Sequence, residues 1–171
     1  MSANFDAAYD FTLAREGGFV LSTLRGDSGG QTYAGIARNK HPEWAGWPLI
    51  DQGHTDAATL SPLVKNFYYA EFWTSNNLEQ LPVRIGVLAF DFAVNSGADV
   101  AIKKLQEQLL VASDGKLGPR TALQVQAANP LKLAMLYLAA RLDYLNDLKA
   151  WKYFSEGWSQ RIVTVMRFAA Q

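Results

Sequence analysis

The sequence predicts a mainly α-helical fold with one small β-hairpin set directly after the first helix. Three observations carry that expectation. Apolar residues recur at the three-and-four spacing of a one-sided helix through most of the chain, and glycine or Asn-Pro signals break that pattern into segments. Only the stretch from 19 to 37 offers short extended runs flanking a cluster of turn formers. With 171 residues, 49% of them hydrophobic, the chain suits one core that buries roughly 70% of its unfolded surface.

In chain order, Ser2-Ala3-Asn4 caps a helix whose Phe5, Ala8, Tyr9, Thr12 and Leu13 share a face. Gly17-Gly18 closes that helix, because glycine accepts the left-handed backbone of a helix end. Phe19-Val20-Leu21 and Tyr33-Ala34-Gly35-Ile36 read as the arms of an irregular hairpin around Arg25 to Gly30. Between 37 and 53, Pro42, Trp44, Trp47 and Pro48 suggest a short helix and a loop, with the tryptophans either packed or turned towards a sugar face. Ser61-Pro62 starts a helix with Leu63, Val64, Phe67, Tyr68 and Phe72 on one side. A further helix begins near Pro82, carries Ile85, Leu88, Ala89, Phe92 and Ala93, and breaks at Asn95-Ser96-Gly97. Asp99 is expected to cap the next, which runs through Ile102, Leu105, Leu109 and Leu110 to the turn Ser113-Asp114-Gly115. Asn129-Pro130 opens what reads as the longest and central helix, with Leu131, Met135, Leu138, Leu142 and Leu145 buried and Lys132, Arg141, Asp143 and Lys149 in water. A last helix from Ser155 sets Trp158, Ile162, Val165, Met166 and Phe168 against the bundle. Short links make these helices antiparallel neighbours. Residues 1–171 are therefore expected to form a single domain, with 1–80 holding the first helix, hairpin and loops and 81–171 a helical bundle.

Composition removes several function classes. The chain has no cysteine, which excludes disulfides, thiolate metal sites and a thiol nucleophile. Sixteen basic and sixteen acidic residues cancel, so no global field draws the protein to nucleic acid. Asp6 and Asp10 stand where a signal peptide would need a basic start and an apolar run, and no apolar stretch approaches the roughly 20 residues of a membrane span. The expectation is a protein made in the cytoplasm without a signal peptide and not integral to a membrane. His41 and His54 have no acidic or His partner at ligand spacing, so neither a metal nor a cofactor is expected.

The chemistry concentrates between Ala14 and Ile36. Glu16 sits in the last turn of the first helix, where the negative end of the dipole disfavours a carboxylate and favours its protonated form. Asp27 and Thr32 follow in a segment whose glycines at 26, 29, 30 and 35 let backbone approach a ligand closely. Taken singly, Glu16 is a surface residue and Asp27 a turn former. Together they offer what glycosidic hydrolysis needs: a protonated carboxyl at the leaving oxygen and a second polar group that holds water on the opposite ring face. A phosphate-binding loop is the rival, but there is no Gly-Lys-Ser or Gly-Lys-Thr and no long apolar strand before it. Asn95 reads either as a helix C-cap or as a cleft amide holding substrate, and Tyr33 and Tyr68 either as sugar contacts or as packing. Asp114-Gly115 and Gly118-Pro119 read as a turn and a helix start.

Arg15-Glu16-Gly17-Gly18-Phe19, followed by Asp27-Ser28-Gly29-Gly30-Gln31-Thr32-Tyr33-Ala34-Gly35-Ile36, resembles the signature of glycoside hydrolase family 108, the N-acetylmuramidases of phage endolysins and related wall-lytic proteins. Phe90 to Gly97 and Asp114 to Thr121 resemble the predicted peptidoglycan-binding region that accompanies that family. The resemblance implies a lysozyme-like helical fold with Glu16 as catalytic acid. The series Glu16, Asp27, Thr32 also resembles the triad of phage lysozymes, at intervals of eleven and five positions that differ from that family's pattern.

The resulting expectation is a muramidase that cuts the β-1,4 bond between N-acetylmuramic acid and N-acetylglucosamine with inversion. Glu16 protonates the leaving oxygen, while Asp27 with Thr32 holds the attacking water; Gly30, Gln31, Tyr33, Tyr68 and Asn95 form the substrate-binding set. Its partner is the peptidoglycan glycan strand, met as a monomer after release through a holin or after secretion alongside an immunity protein. A chitinase, or a wall-binding module without activity, is the alternative.

Overall fold

The structure, a computed structural model, describes residues 1–14, 18–23 and 30–171. Ser2 accepts a hydrogen bond from the Phe5 N–H and starts α1 (Ala3–Leu13), whose buried face is Phe5, Ala8, Tyr9, Thr12 and Leu13, as the spacing predicts. The extended region is a three-stranded antiparallel sheet of β1 (Leu21–Thr23), β2 (Gln31–Tyr33) and β3 (Ile36–Ala37). The third strand escapes a sequence reading because Tyr33 to Ile36 looks like one continuous run. In fact Tyr33 faces Ile36 and the chain reverses between them through Ala34 (φ 46°) and Gly35 (φ 80°), the doubly left-handed turn that suits a two-residue hairpin.

The short helix expected after the sheet is α2 (Trp47–Asp51), opened by Pro48. Gly46 is required beside it, because a side chain there would collide with the Trp44 ring. The next helix, α3 (Ala57–Tyr68), begins earlier than Ser61-Pro62 suggests. Asp56 accepts from the Thr59 N–H and nucleates a turn before Pro62, which the helix then carries inside it. A π-helical turn at Tyr69–Thr74 prolongs it and drives Trp73 into the core.

The centre of the molecule is α4 (Val83–Ser96), in which every residue from Ile85 to Ala93 is buried. A helix apolar on all sides belongs in the interior. This corrects the expectation that the Asn129-Pro130 helix is central. After Gly97 (φ 93°) come α5 (Ala98–Gln108), α6 (Pro119–Ala127), α7 (Pro130–Asn146) and α8 (Trp151–Ala169). Gly97 occupies the cap position of α5, with Asp99 inside its first turn, and Leu110 is 92% exposed beyond its end. At 19 residues α8 exceeds the 17 of α7, and it starts at Trp151, ahead of Ser155.

The buried stripe of α7 is Leu133, Ala134, Tyr137, Leu138, Arg141 and Leu145, while Leu131 and Leu142 are 47% and 38% exposed. The helix is thus rotated from the leucine pattern. Tyr137 donates its hydroxyl to the Ala101 carbonyl and Arg141 reaches Asp91, so two polar side chains find buried partners and pull their side of α7 inward. One cluster of buried side chains runs from Phe5 to Ala169. Among the described residues no helix is long and apolar enough to cross a membrane.

Candidate active site

Contacts near the N-terminus set the direction of α1. Ser2 Oγ donates to Glu79 across 2.6 Å, and the Trp73 indole N–H donates to the same carboxylate across 2.7 Å. Trp73 lies against Gly86, in the first turns of α4. One turn further along both helices, Phe5 packs on Phe90 with ring centroids 5.8 Å apart. The two helices therefore run in the same sense, and the end of α1 at Leu13 and Ala14 is carried towards the Asn95 end of α4. Phe11 against Phe168, at 4.9 Å, brings the last turns of α8 alongside.

Glu16 and Asp27 lie outside the described residues, and the Gly17 part of the helix stop lies there too. The frame on either side of them is defined. Thr23 is paired with Gln31, so the segment carrying Asp27 leaves and re-enters the same end of the sheet. Thr32 lies at the middle of β2, half-buried, opposite Ser22 on one side and Ala37 on the other. Gln31 accepts from Arg38 across 2.7 Å, and Arg38 also grips Asp51 through two bonds of 2.8 and 2.6 Å. The Arg38 guanidinium lies 5.1 Å from the Trp47 ring centre. Its hydrogen bond holds the Asp51 carboxyl below the usual carboxylate range. Gly30 takes φ 70°, and a side chain there would press on the Asn39 amide at 3.0 Å.

The remaining candidates divide. Tyr33 is fully buried with its hydroxyl donated to the Thr55 carbonyl, and Tyr68 is 2% exposed with its hydroxyl donated to Ala34. Their geometry is that of packing, and Trp44 and Trp47, 7% and 2% exposed, join them. Asn95 is a residue of α4, one place before its end, and its Oδ1 accepts from Arg141 across 3.3 Å and from Ser96 across 3.2 Å. It also borders an open cleft of about 440 Å³ shared with Trp158, Gln160, Arg161 and Thr164 of α8. In the Asp114 turn, Gln106 donates to Asp114 and accepts from the Gly115 N–H, a structural role for those residues.

Sequence reasoning missed the group beneath this cleft. Asp91 is completely buried and receives Arg141 at 2.7 Å and Arg161 at 2.9 Å, which ties α4 to both α7 and α8. Burial alone would raise the Asp91 carboxyl, but Arg141 and Arg161 outweigh it and hold the group below the ordinary range. Arg141, expected in solvent, is 1% exposed. The signal was present: a carboxylate within Leu88-Ala89-Phe90-Asp91-Phe92-Ala93 has no place unless another element brings it a cation. Among the described residues no cluster of three or more His, Cys, Asp or Glu side chains could hold a metal ion.

The family model described as Glycosyl hydrolase 108 matches residues 9–97, just over half of the chain. The chain belongs to glycosyl hydrolase family 108. The matched residues take in Glu16, Asp27, Thr32 and Asn95, and they include Phe90 to Gly97, part of the stretch that resembles the peptidoglycan-binding region accompanying the family. No curated protein matches this family 108 chain. Among solved structures it is similar to Brucella abortus SagA, with 25% identity over 97% of this chain and 93% of that one and a TM-score of 0.76. The mainly helical, lysozyme-like fold expected from the sequence is the one observed, and the chain is a glycoside hydrolase.

Proposed function

We propose that this glycoside hydrolase is a peptidoglycan muramidase that cleaves the β-1,4 bond on the reducing side of N-acetylmuramic acid. The observation that supports the reading, beside the family match, is the direction of α1, which runs towards the Asn95 end of α4, and Glu16 follows two positions after Ala14 in the sequence. The negative end of the helix dipole favours a protonated carboxyl, which is the state a general acid needs. Glu16 gives its proton to the glycosidic oxygen as the bond to the muramic acid carbon breaks. A water on the opposite face, held by Thr32 and relieved of its proton by Asp27, completes the substitution with inversion. The enzyme works on wall glycan as a monomer, after release or secretion from the cytoplasm.

Digestion of purified peptidoglycan followed by borohydride reduction and mass analysis tests this. Reduced muramic acid at the new ends is the expected result. Reduced N-acetylglucosamine would replace the muramidase by a glucosaminidase, and preferential cleavage of chitin would favour a chitinase.

A further inference from the structure

The first half of α8 exposes aromatic rings that the core does not use. Phe154 is 57% exposed, and Trp151 and Trp158 are half-buried. Positions 151, 154 and 158 follow each other by three and four, which places them along one stripe of the helix. Their rings meet: Phe154 and Trp158 are 5.7 Å apart and inclined by 34°, Trp151 and Trp158 6.1 Å apart and inclined by 42°. Gentle inclinations of that kind make a shallow folded surface and not a closed stack. Contiguous apolar surface of this sort on a protein in water marks a binding site. The stripe extends roughly 10 Å along the helix, the reach of a short oligosaccharide.

One end of the stripe runs into the cleft. Trp158 borders it beside Asn95, Gln160 and Thr164, so the rings continue into amide and hydroxyl groups that hydrogen-bond. Flat aromatic faces beside such groups match the chemistry of a pyranose, whose axial C–H bonds form an apolar face and whose edge carries hydroxyls and an acetamido group. A membrane surface would need the rings but would gain nothing from the polar end.

On this basis, and resting on the glycan reading of the cleft, we propose that Trp151, Phe154 and Trp158 form an extended glycan-binding platform. It holds sugar units of the strand beyond those at the scissile bond, and so sets the preference for long chains. These residues lie outside the segment that matches the family.

The test uses the full chain carrying Glu16→Gln, so that bound sugar is not hydrolysed, and isothermal titration calorimetry with the dimer and the hexamer of β-1,4-linked N-acetylglucosamine. The hexamer should bind at least about tenfold more tightly than the dimer. Phe154→Ala and Trp151→Ala should each weaken the hexamer by about 3- to 10-fold and leave the dimer unchanged, while Trp158→Phe, which keeps a ring, retains most of the preference. Circular dichroism checks that each variant is folded. Unchanged hexamer affinity in folded Phe154→Ala overturns the platform. So does a loss confined to binding of phosphatidylglycerol–phosphatidylethanolamine vesicles, which would assign the stripe to a membrane surface. If wall glycan is cut with the expected reducing ends but length preference is absent, the platform falls and the muramidase reading stands. If the reducing-end analysis finds no glycan cleavage, the muramidase reading falls first.

Discussion

Arg141 on α7 donates to Asp91 on α4 across 2.7 Å, with the two side chains 1% and 0% exposed. The bond spans fifty positions of sequence and is reinforced by Arg161 from α8. Removing two charges from water is expensive, and the expense is offset only while both partners are present. The Arg141 Nε has no hydrogen-bond partner among the described residues, so the arrangement depends on the ion pair itself.

Arg141→Met should therefore destabilise the protein by about 3 to 5 kcal/mol, since it leaves a buried carboxylate short of its closest cation. Urea unfolding followed by circular dichroism measures the difference. A loss below about 1 kcal/mol would mean that Arg161 alone satisfies Asp91.

Acid should weaken the fold through the same residue. Asp91 titrates below the ordinary value when folded, so the folded state binds its proton less readily than the unfolded chain. Its contribution is complete above the unfolded value of roughly 3.9 and is lost as pH falls through the lower folded value. Melting temperature measured from pH 6 down to pH 2 should drop most steeply below about pH 4, and Asp91→Asn should flatten that part of the curve.

The rotation of α7 predicts unequal leucines. Leu138→Ala removes a side chain that is 3% exposed and should cost about 2 to 5 kcal/mol. Leu131→Ala, at a position 47% exposed, should change stability by no more than about 0.5 kcal/mol. Equal losses would contradict the observed orientation.

Glu16→Gln keeps the shape of the side chain and removes its transferable proton, so lysis of purified walls should fall by at least about 100-fold with no change in melting temperature. Asp27→Asn should slow turnover more than it weakens glycan binding. Nuclear magnetic resonance at early times should find an α-configured reducing sugar as first product. A β-configured one would mean retention and remove Asp27 from its role as water holder.

Truncation after Gly97 removes α7 and α8, and with them both cations of Asp91. The fragment 1–97 should not fold, as read by the loss of cooperative thermal unfolding. A stable and active fragment would show that the matched segment is a domain by itself.

The local order of the chain was legible because local rules fix it. Ser2 caps α1, Asn129 caps α7 with its side chain accepting from the Lys132 N–H, and Gly97 ends α4 at φ 93°, each through groups within four residues of one another. The motif around Glu16, Asp27 and Thr32 was likewise readable as a string, and the family match covers it. Tertiary structure decided which face of each helix is inside. Apolar spacing alone assigned Leu131 and Leu142 to the core and Arg141 to water, whereas the fold places a carboxylate at Asp91 where Arg141 reaches it. Tertiary structure also turned Tyr33 and Tyr68 inward, because the carbonyls of Thr55 and Ala34 that accept their hydroxyls are brought there by other elements. A polar side chain can be buried only where a distant segment supplies its partner, and the identity of that segment is a property of the folded chain.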